Sequence, residues 1–463
     1  MIIHGKQCVS AFGPLPEGWG LDRIRDRLGP IIGGEWGEDP ASHDQGLEVP
    51  VVRVSDIDGI DINPDNLTIR RVAASKLSGR LIGTSSLVIE KSGGGEKQSV
   101  GRVVLGRNLP FDAISSNFMA KTDCGPTLHG LYAAYLFQAA YCSKLNEANI
   151  QQTTGIQNLR VTDYLNTEVG IPPLHEQVRI AGYLDASCTA IDAAVAAKRK
   201  QIETLHALRA ATLQRVITRG LMPEGPLVET RNAWLERIPA GWSLVQLKRL
   251  AQVHGGLTLG KSYEGLEVVE YPYLRVANVQ DGHLDLTDVT SLEVPPAVAE
   301  GVMLRPGDVL MTEGGDLDKL GRGTVWEGQL APCLHQNHVF AVRCFPHKLL
   351  PHLLAYVTAS RYGRDYFEAT GKRTTNLAAT NATKVGAFYI PLPPLAEQKR
   401  LVQYLDTEIG RLKAIQEIIG KQIDTLTAYR KSLIHECVTG QRRISAEDLA
   451  GVGARLPEAE ACA

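Results

Sequence analysis

The sequence predicts an α+β protein built twice: two globular α/β domains, each closed by a long helix, with the two helices pairing in a coiled-coil manner. Three observations predict it. The phrase Ile171-Pro172-Pro173-Leu174-His175-Glu176-Gln177 returns 221 positions later as Leu392-Pro393-Pro394-Leu395-Ala396-Glu397-Gln398. Each copy opens a charged stretch with apolar residues in heptad steps. Shorter matches recur upstream of both copies at nearly the same spacing.

The elements follow in chain order. Leu15-Pro16-Glu17-Gly18-Trp19 and Ile238-Pro239-Ala240-Gly241-Trp242 open the two halves as loops. Val49-Pro50-Val51-Val52-Arg53-Val54 and Tyr271-Pro272-Tyr273-Leu274-Arg275-Val276 read as a loop entering a short strand. Leu87-Val88-Ile89 before Ser92-Gly93-Gly94-Gly95 answers Val309-Leu310-Met311 before Glu313-Gly314-Gly315. Gly101-Arg102 answers Gly321-Arg322, and Asn117-Phe118 answers Asn337-His338. The loops beginning Thr154-Gly155-Ile156-Gln157-Asn158 and Thr370-Gly371-Lys372-Arg373 lie at matching places.

Proline suits a helix's first position, where its missing N–H would have no partner. Glu176 and Glu397 then sit in the first turn, where the helix dipole favours a carboxylate. In the second copy Leu405, Leu412, Ile419, Leu426 and Leu433 form one stripe, with Ile409 and Ile423 as the second. Leu184, Cys188, Ile191, Val195, Ile202 and Leu205 hold the register in the first, but Lys198 stands where Ile419 does, and Arg209 matches Arg430. Val216-Ile217-Thr218-Arg219-Gly220 and Cys437-Val438-Thr439-Gly440 end the helices on glycine. Each helix is expected to run about 35 residues, or about 50 Å. The resulting division is 1–170, first domain; 171–220, first helical region; 221–237, linker; 238–390, second domain; 391–443, second helical region; and 444–463, an acidic, disordered tail.

Composition narrows the class. The chain carries 49 basic and 51 acidic residues, but unevenly. Residues 1–65 hold 5 basic against 12 acidic, and 66–170 hold 11 against 7. Residues 221–304 hold 6 against 11, and 305–390 hold 10 against 7. Both domains split the same way, which fits one face for phosphates and another for a different purpose. Eight scattered cysteines without CxxC pairing read as reduced cytoplasmic thiols. No apolar stretch is expected to span a bilayer, and the N-terminus lacks a signal-peptide core. His335 and His338 lack further metal ligands at zinc-like spacing. Gly255-Gly256-Leu257-Thr258-Leu259-Gly260-Lys261-Ser262 matches the P-loop pattern. The residues after it nucleate a helix poorly, so the match reads as a chance cluster of turn glycines. No GxSxG elbow, HExxH or cofactor loop is present.

The Pro-Pro-Leu-x-Glu-Gln phrase, the Val-x-Thr-x-Gly helix end and the Pro-x-Gly-Trp opening together resemble the specificity subunits of type I restriction–modification systems, over nearly the whole chain. The resemblance implies two target-recognition domains, each reading one part of a split, asymmetric duplex DNA site. It implies two helical regions packed antiparallel as a spacer, methyltransferase subunits docked on them, restriction subunits joining that core, and neither catalysis nor a cofactor in this chain. Docking would fall to the helix openings: Pro172, Pro173, Glu176, Gln177, Pro393, Pro394, Glu397 and Gln398. Two departures are Lys198 opposite the pattern of Ile419, and a spacing of 14 residues from Asn158 to Pro172 against 17 from Asn376 to Pro393.

Base edges and phosphates are contacted by Arg, Lys, Asn, Gln, Ser and Thr. Late loops in each basic segment supply these types. The candidates in the first domain are Lys91, Ser92, Lys97, Arg102, Thr153, Thr154, Gln157 and Asn158. In the second they are Lys319, Arg322, Gln336, Asn337, Lys372, Arg373, Thr374, Thr375 and Asn376. Two other classes stay open on the residues alone: a coiled-coil scaffold that binds only proteins, and an ATP-dependent enzyme using Lys261.

Overall fold

The computed structural model describes residues 9–41, 46–95, 98–153, 155–315, 320–321, 323–373 and 378–453. The chain divides into two compact units, Met1–Lys198 with Lys421–Ala463, and Arg199–Gly420. Both boundaries fall inside the long helices, not at 170/171 and 390/391. The reason is packing: each domain shares one apolar core with segments of both helices.

The helices are longer than expected. They run Leu174–Arg219, 46 residues, and Leu395–Val438, 44 residues. At 1.5 Å per residue these are about 69 and 66 Å. Each begins right after its proline pair, and nothing breaks it before the terminal glycine. In the first unit Leu184, Cys188, Ile191 and Val195 of one helix pack with Leu433, Ile434, Cys437 and Val438 of the other. Arg430 pairs with Asp192 at 3.0 Å, and the Lys198 ammonium donates to Gln422 at 2.6 Å. Numbers fall along one helix as they rise along the other, so the segments are antiparallel. In the second unit Leu213, Val216 and Ile217 pack with Leu401 and Leu405. Arg215 donates to the Tyr404 hydroxyl at 3.1 Å, again antiparallel. A fully buried leucine contributes about 1.5–3 kcal/mol, an exposed ion pair about 0–1 kcal/mol. The apolar stripe therefore holds each seam, and the charged pairs only trim it. The first long helix reaches a mean hydropathy of 1.2 over 18 residues, long and apolar enough to cross a bilayer by composition alone. That corrects the expectation of no such stretch. Its apolar side is the one buried in these cores.

The two domains share one plan. In the first, a six-stranded sheet is centred on Ser86–Glu90, flanked by Met119–Asp123 and Val103–Leu105. The central strand is buried throughout: Leu87 and Ile89 face the helix Gly130–Cys142, and Val88 faces the opposite core with Val52, Ile62 and Met119. That is why it reads as a continuous apolar run without alternation. In the second domain Asp308–Thr312 takes this place, between Val339–Cys344 and Gly323–Val325. A three-stranded sheet built on Leu47–Val52 in the first domain answers one built on Val269–Leu274 in the second. Strand pairs Gly20–Arg23 with Glu168–Ile171, and Ser243–Gln246 with Tyr389–Leu392, lead into the helices.

The repeated phrases converge in each unit. Glu176 is buried and accepts hydrogen bonds from the Trp19 indole at 3.3 Å and from Arg443 at 3.2 Å. Gln177 accepts from the His129 N–H and donates to the carbonyls of Thr127 and Pro172. Gln398 repeats this with the Leu350 N–H and the carbonyls of Lys348 and Pro393. The terminal glycines have φ of +71° at Gly220 and +74° at Gly440. A Cβ at Gly440 would lie 2.5 Å from Pro16 and 3.1 Å from Trp19; at Gly220 it would lie 3.3 Å from Trp242. Glycine is required on both counts. Docking is thereby corrected: Glu176, Gln177 and Gln398 are spent inside the fold, with Pro172 and Pro393 buried beside them. Glu397 is half-buried, and only Pro173 and Pro394 are exposed.

Two segments differ from expectation. The linker holds a hairpin, Leu227–Asn232 with Leu235–Pro239, whose Leu235 and Ile238 enter the core. Asn232 closes its turn by accepting from the N–H groups of Trp234 and Leu235. Residues 444–453 are not disordered either: Ser445 caps the helix Ala446–Gly451, and Ile444 and Leu449 are buried in the first unit. The rest of the tail, 454–463, lies outside the described residues.

Candidate nucleic-acid interface

Each domain carries a small three-stranded sheet beyond its central strand. In the first it is Ser92–Gly93, Ile156–Leu159 and Ile150–Thr153; in the second, Gly314–Gly315, Ala378–Ala379 and Lys372–Arg373. Their register corrects the pairing of the late loops: Asn158 faces Ser92 and Gln151, and Ala379 faces Gly314 and Lys372, so Lys372 stands where Gln151 does and the Thr370-Gly371 loop precedes its strand, whereas the first domain's strand ends at Thr153. Beside each sheet lies a tight turn. Lys91 N–H donates to the Phe118 carbonyl at 3.0 Å, and Glu313 N–H to that of His338 at 2.9 Å. A glycine packs under each turn: a Cβ on Gly34 would lie 2.0 Å from the Ser116 carbonyl oxygen, and one on Gly256 2.1 Å from that of His335. The turn is therefore pinned to the sheet at the same point in both domains.

The side chains on this common backbone differ. The first domain presents Lys91 and Phe118, a residue 46% exposed. The second presents His338, whose Nδ1 lies 2.6 Å from the Glu313 carboxylate. A third turn borders the face. Asp56 accepts from the Arg53 N–H at 2.8 Å and holds its guanidinium through Nε and Nη2. Asn278 caps the matching turn from Arg275 at 2.8 Å but has no charge to hold that guanidinium, which pairs with Asp288 instead. A cavity of about 400 Å³ opens on the first domain's face, lined by Trp36, Arg53, Ser55, Ser116, Asn117 and Phe118, with the edge of Ser92–Gly93. The Arg70 guanidinium lies 4.9 Å from the Trp36 ring centroid.

The sequence candidates divide. Lys91, Ser92, Gln157 and Asn158 gather on the first small sheet, with Ser92 donating to Asn158 at 2.7 Å. Gln157 is partly tied down, accepting from the Val100 N–H. Arg102 is a correction: its guanidinium pairs with the buried Glu90 carboxylate at 2.8 and 3.1 Å, and desolvating that carboxylate unpaired would be costly. Gln336 accepts from the Val276 N–H, so it braces the turn. Asn337 sits half-buried beside His338, and Lys372 is exposed on its strand. Thr153 and Arg373 end strands of the two small sheets. Lys97, Thr154, Lys319, Arg322, Thr374, Thr375 and Asn376 lie outside the described residues. Sequence reasoning missed Trp36, Arg53, Ser55, Glu313 and the roles of Phe118 and His338; the repeat alignment of Asn117-Phe118 with Asn337-His338 was the available signal. His335 is buried, its Nδ1 2.7 Å from the Val339 carbonyl oxygen, and burial lowers its pKa below the usual histidine value. The P-loop-like stretch is a loop, and no α-helix follows it before Pro296–Val302. Phosphate cradling at a helix N-terminus has no basis there.

No family model matches the chain. It is 24% identical over 428 residues to the EcoKI specificity subunit of Escherichia coli, covering 90% of this chain and 86% of that protein. It is 22% identical to the StySPI specificity subunit of Salmonella potsdam, over 93% and 90% of the two chains. A stronger local match, 27% identical, is to the putative MjaX specificity subunit of Methanocaldococcus jannaschii, of whose length it spans 46%. A solved structure concerned with assembly and conformational transition of the type I R-M system superposes with a TM-score of 0.69 at 19% identity, over 92% of this chain and 99% of that one. The HsdS subunit from Thermoanaerobacter tengcongensis gives 0.52 at 18% identity, over 93% and 98%. Over most of its length the chain is similar to the specificity subunits of type I restriction enzymes. Its fold of two α/β domains and two long helices is shared with these solved structures.

Proposed function

We propose that this chain is the DNA sequence-recognition subunit of a type I restriction–modification complex in the cytoplasm. Its two target-recognition domains bind a bipartite, asymmetric duplex site, and its helices dock methyltransferase subunits, to which restriction subunits can add. The observation that carries the reading is a shared backbone face with different side chains: Lys91 and Phe118 in one domain, Glu313 and His338 in the other. Two sites of one role and different targets need such a design. Lys372, Lys91 and the basic late segments supply phosphate contacts, and residues on the tight turns and small sheets read base edges. The helices set the distance between the half-sites, and the bases between them go unread. The chain itself performs no chemistry.

Co-production with methyltransferase subunits and mapping of methylated sites tests this. The expected result is one motif of two unlike half-sites with a fixed gap. Lys372→Ala should weaken binding to all sequences alike and reduce the slope of log affinity against log salt by about 1. Methylation at an ungapped motif, or affinity insensitive to salt, would overturn the proposal.

A further inference from the structure

The cavity on the first domain is an anomaly on a face meant for a polyanion. Trp36 and Phe118 line it, while its rim is polar, with Ser55, Ser116, Asn117 and Arg53. Its volume of about 400 Å³ lies within the range of about 300–1,000 Å³ typical of sites for small organic ligands. An intact duplex offers phosphates, sugars and base edges, and hides the flat faces of its bases in the stack. Those faces become available to aromatic side chains only when a base leaves the helix. The rim suits the edge of such a base. Asn117 and the serine hydroxyls can both donate and accept, and Arg53 is held ready by Asp56 at 2.8 and 3.1 Å.

The second domain does not keep this lining. The N–H of Glu35 donates to Ser115, and that of Leu257 to His335, so Trp36 corresponds to Thr258. Phe118 corresponds to His338, which Glu313 engages. Both aromatic walls are thus replaced at matching backbone positions.

We propose that this cavity receives one nucleobase unstacked from the DNA half-site bound by the first domain, with Trp36 and Phe118 against its faces or edge and Asn117 and Arg53 at its polar rim. The assignment rests on the DNA-recognition reading above. Stacking of a base on an aromatic side chain is worth roughly 5- to 140-fold in affinity, and extrusion costs least where the base is already mismatched. A mismatch at the extruded position should therefore tighten binding, whereas elsewhere in the site it should weaken it.

The experiment uses the full chain with its methyltransferase subunits and duplexes carrying the mapped site. A single mismatch is walked across both half-sites, and 2-aminopurine is then placed at any position where binding tightens. The expected result is one such position in the first half-site, with several-fold tighter binding and altered 2-aminopurine fluorescence. Phe118→Ala and Trp36→Ala should each abolish this several-fold gain, without affecting mismatches in the second half-site. Phe118 is largely exposed, so its variant guards against a folding defect at Trp36. A gain that persists in both variants would place the extruded base in the partner subunit and overturn the proposal. So would a first half-site with no tightening position. Either outcome leaves binding of the matched duplex intact, and so leaves the recognition reading standing. Absence of any duplex binding would remove that reading, and this one with it.

Discussion

The two domains use the same backbone to hold opposite chemistries. The first presents a cation and an exposed aromatic ring on its tight turn, the second a carboxylate bridged to an imidazole. Beneath these exchanges the buried joints match: Gly34 with Gly256, Gln177 with Gln398, Gly440 with Gly220. Duplication has preserved what the fold needs and released what faces outward. Even a cap shows the division. Asp56 and Asn278 accept the same backbone hydrogen bond, but only Asp56 retains its arginine at the rim.

That comparison breaks most decisively at the glycines. Gly34→Ala and Gly256→Ala each drive a methyl into a carbonyl oxygen near 2 Å, where neither backbone partner can yield cheaply. Each should cost its own unit about 3 kcal/mol or more, read by hydrogen-exchange protection in the two units separately. Loss confined to one domain for both variants would refute the equivalence. The next test contrasts two helix positions in matching register. Ile419 is 9% exposed, so Ile419→Ala should cost about 2 kcal/mol in denaturant titrations. Lys198 contributes one exposed hydrogen bond to Gln422, so Lys198→Ala should stay within about 0.5 kcal/mol. Equal losses would mean that the seam is symmetric after all.

The smallest effect is in pH. His335 of the second domain stands where the first has Ser115. Burial favours its neutral form, so its folded pKa lies below the ordinary 6.5. The unfolded chain then binds the proton more readily, and stability present above pH 6.5 is lost as pH falls below it. His335→Ser should flatten the decline of the second unit's melting temperature between pH 7 and pH 5. An unchanged slope would assign the acid sensitivity elsewhere.

Much of this was legible in the sequence, and the failures have physical causes. The duplication, both helices and their glycine stops could be read because they rest on local rules. The expected helix length of about 35 residues fell short of the 46 and 44 observed, although the proline openings and glycine stops that bound both helices were read correctly. Glu176 in a first turn is favourable whether exposed or buried, so its hydrogen bond to Trp19, 157 residues away, could not be read from spacing. Arg102 looked free because its partner, Glu90, lies 12 residues away across neighbouring strands, and register decides such pairs. The same concealment inflated the charge argument: Arg107 is engaged by Asp61 and Asp185, and Arg343 by Asp308. The hairpin at 227–239 was missed because its turn residue, Asn232, stands in a stretch of mixed polarity.

The partition of the chain has a kinetic consequence. One unit is a single uninterrupted segment, residues 199–420; the other needs residues from both ends. Glu176 finds Arg443 only after 267 positions have been made. A nascent polypeptide that emerges N-terminus first therefore completes its second half before its first, and the opening domain must wait, with part of its apolar surface uncovered, for the segment from Lys421 onward to arrive.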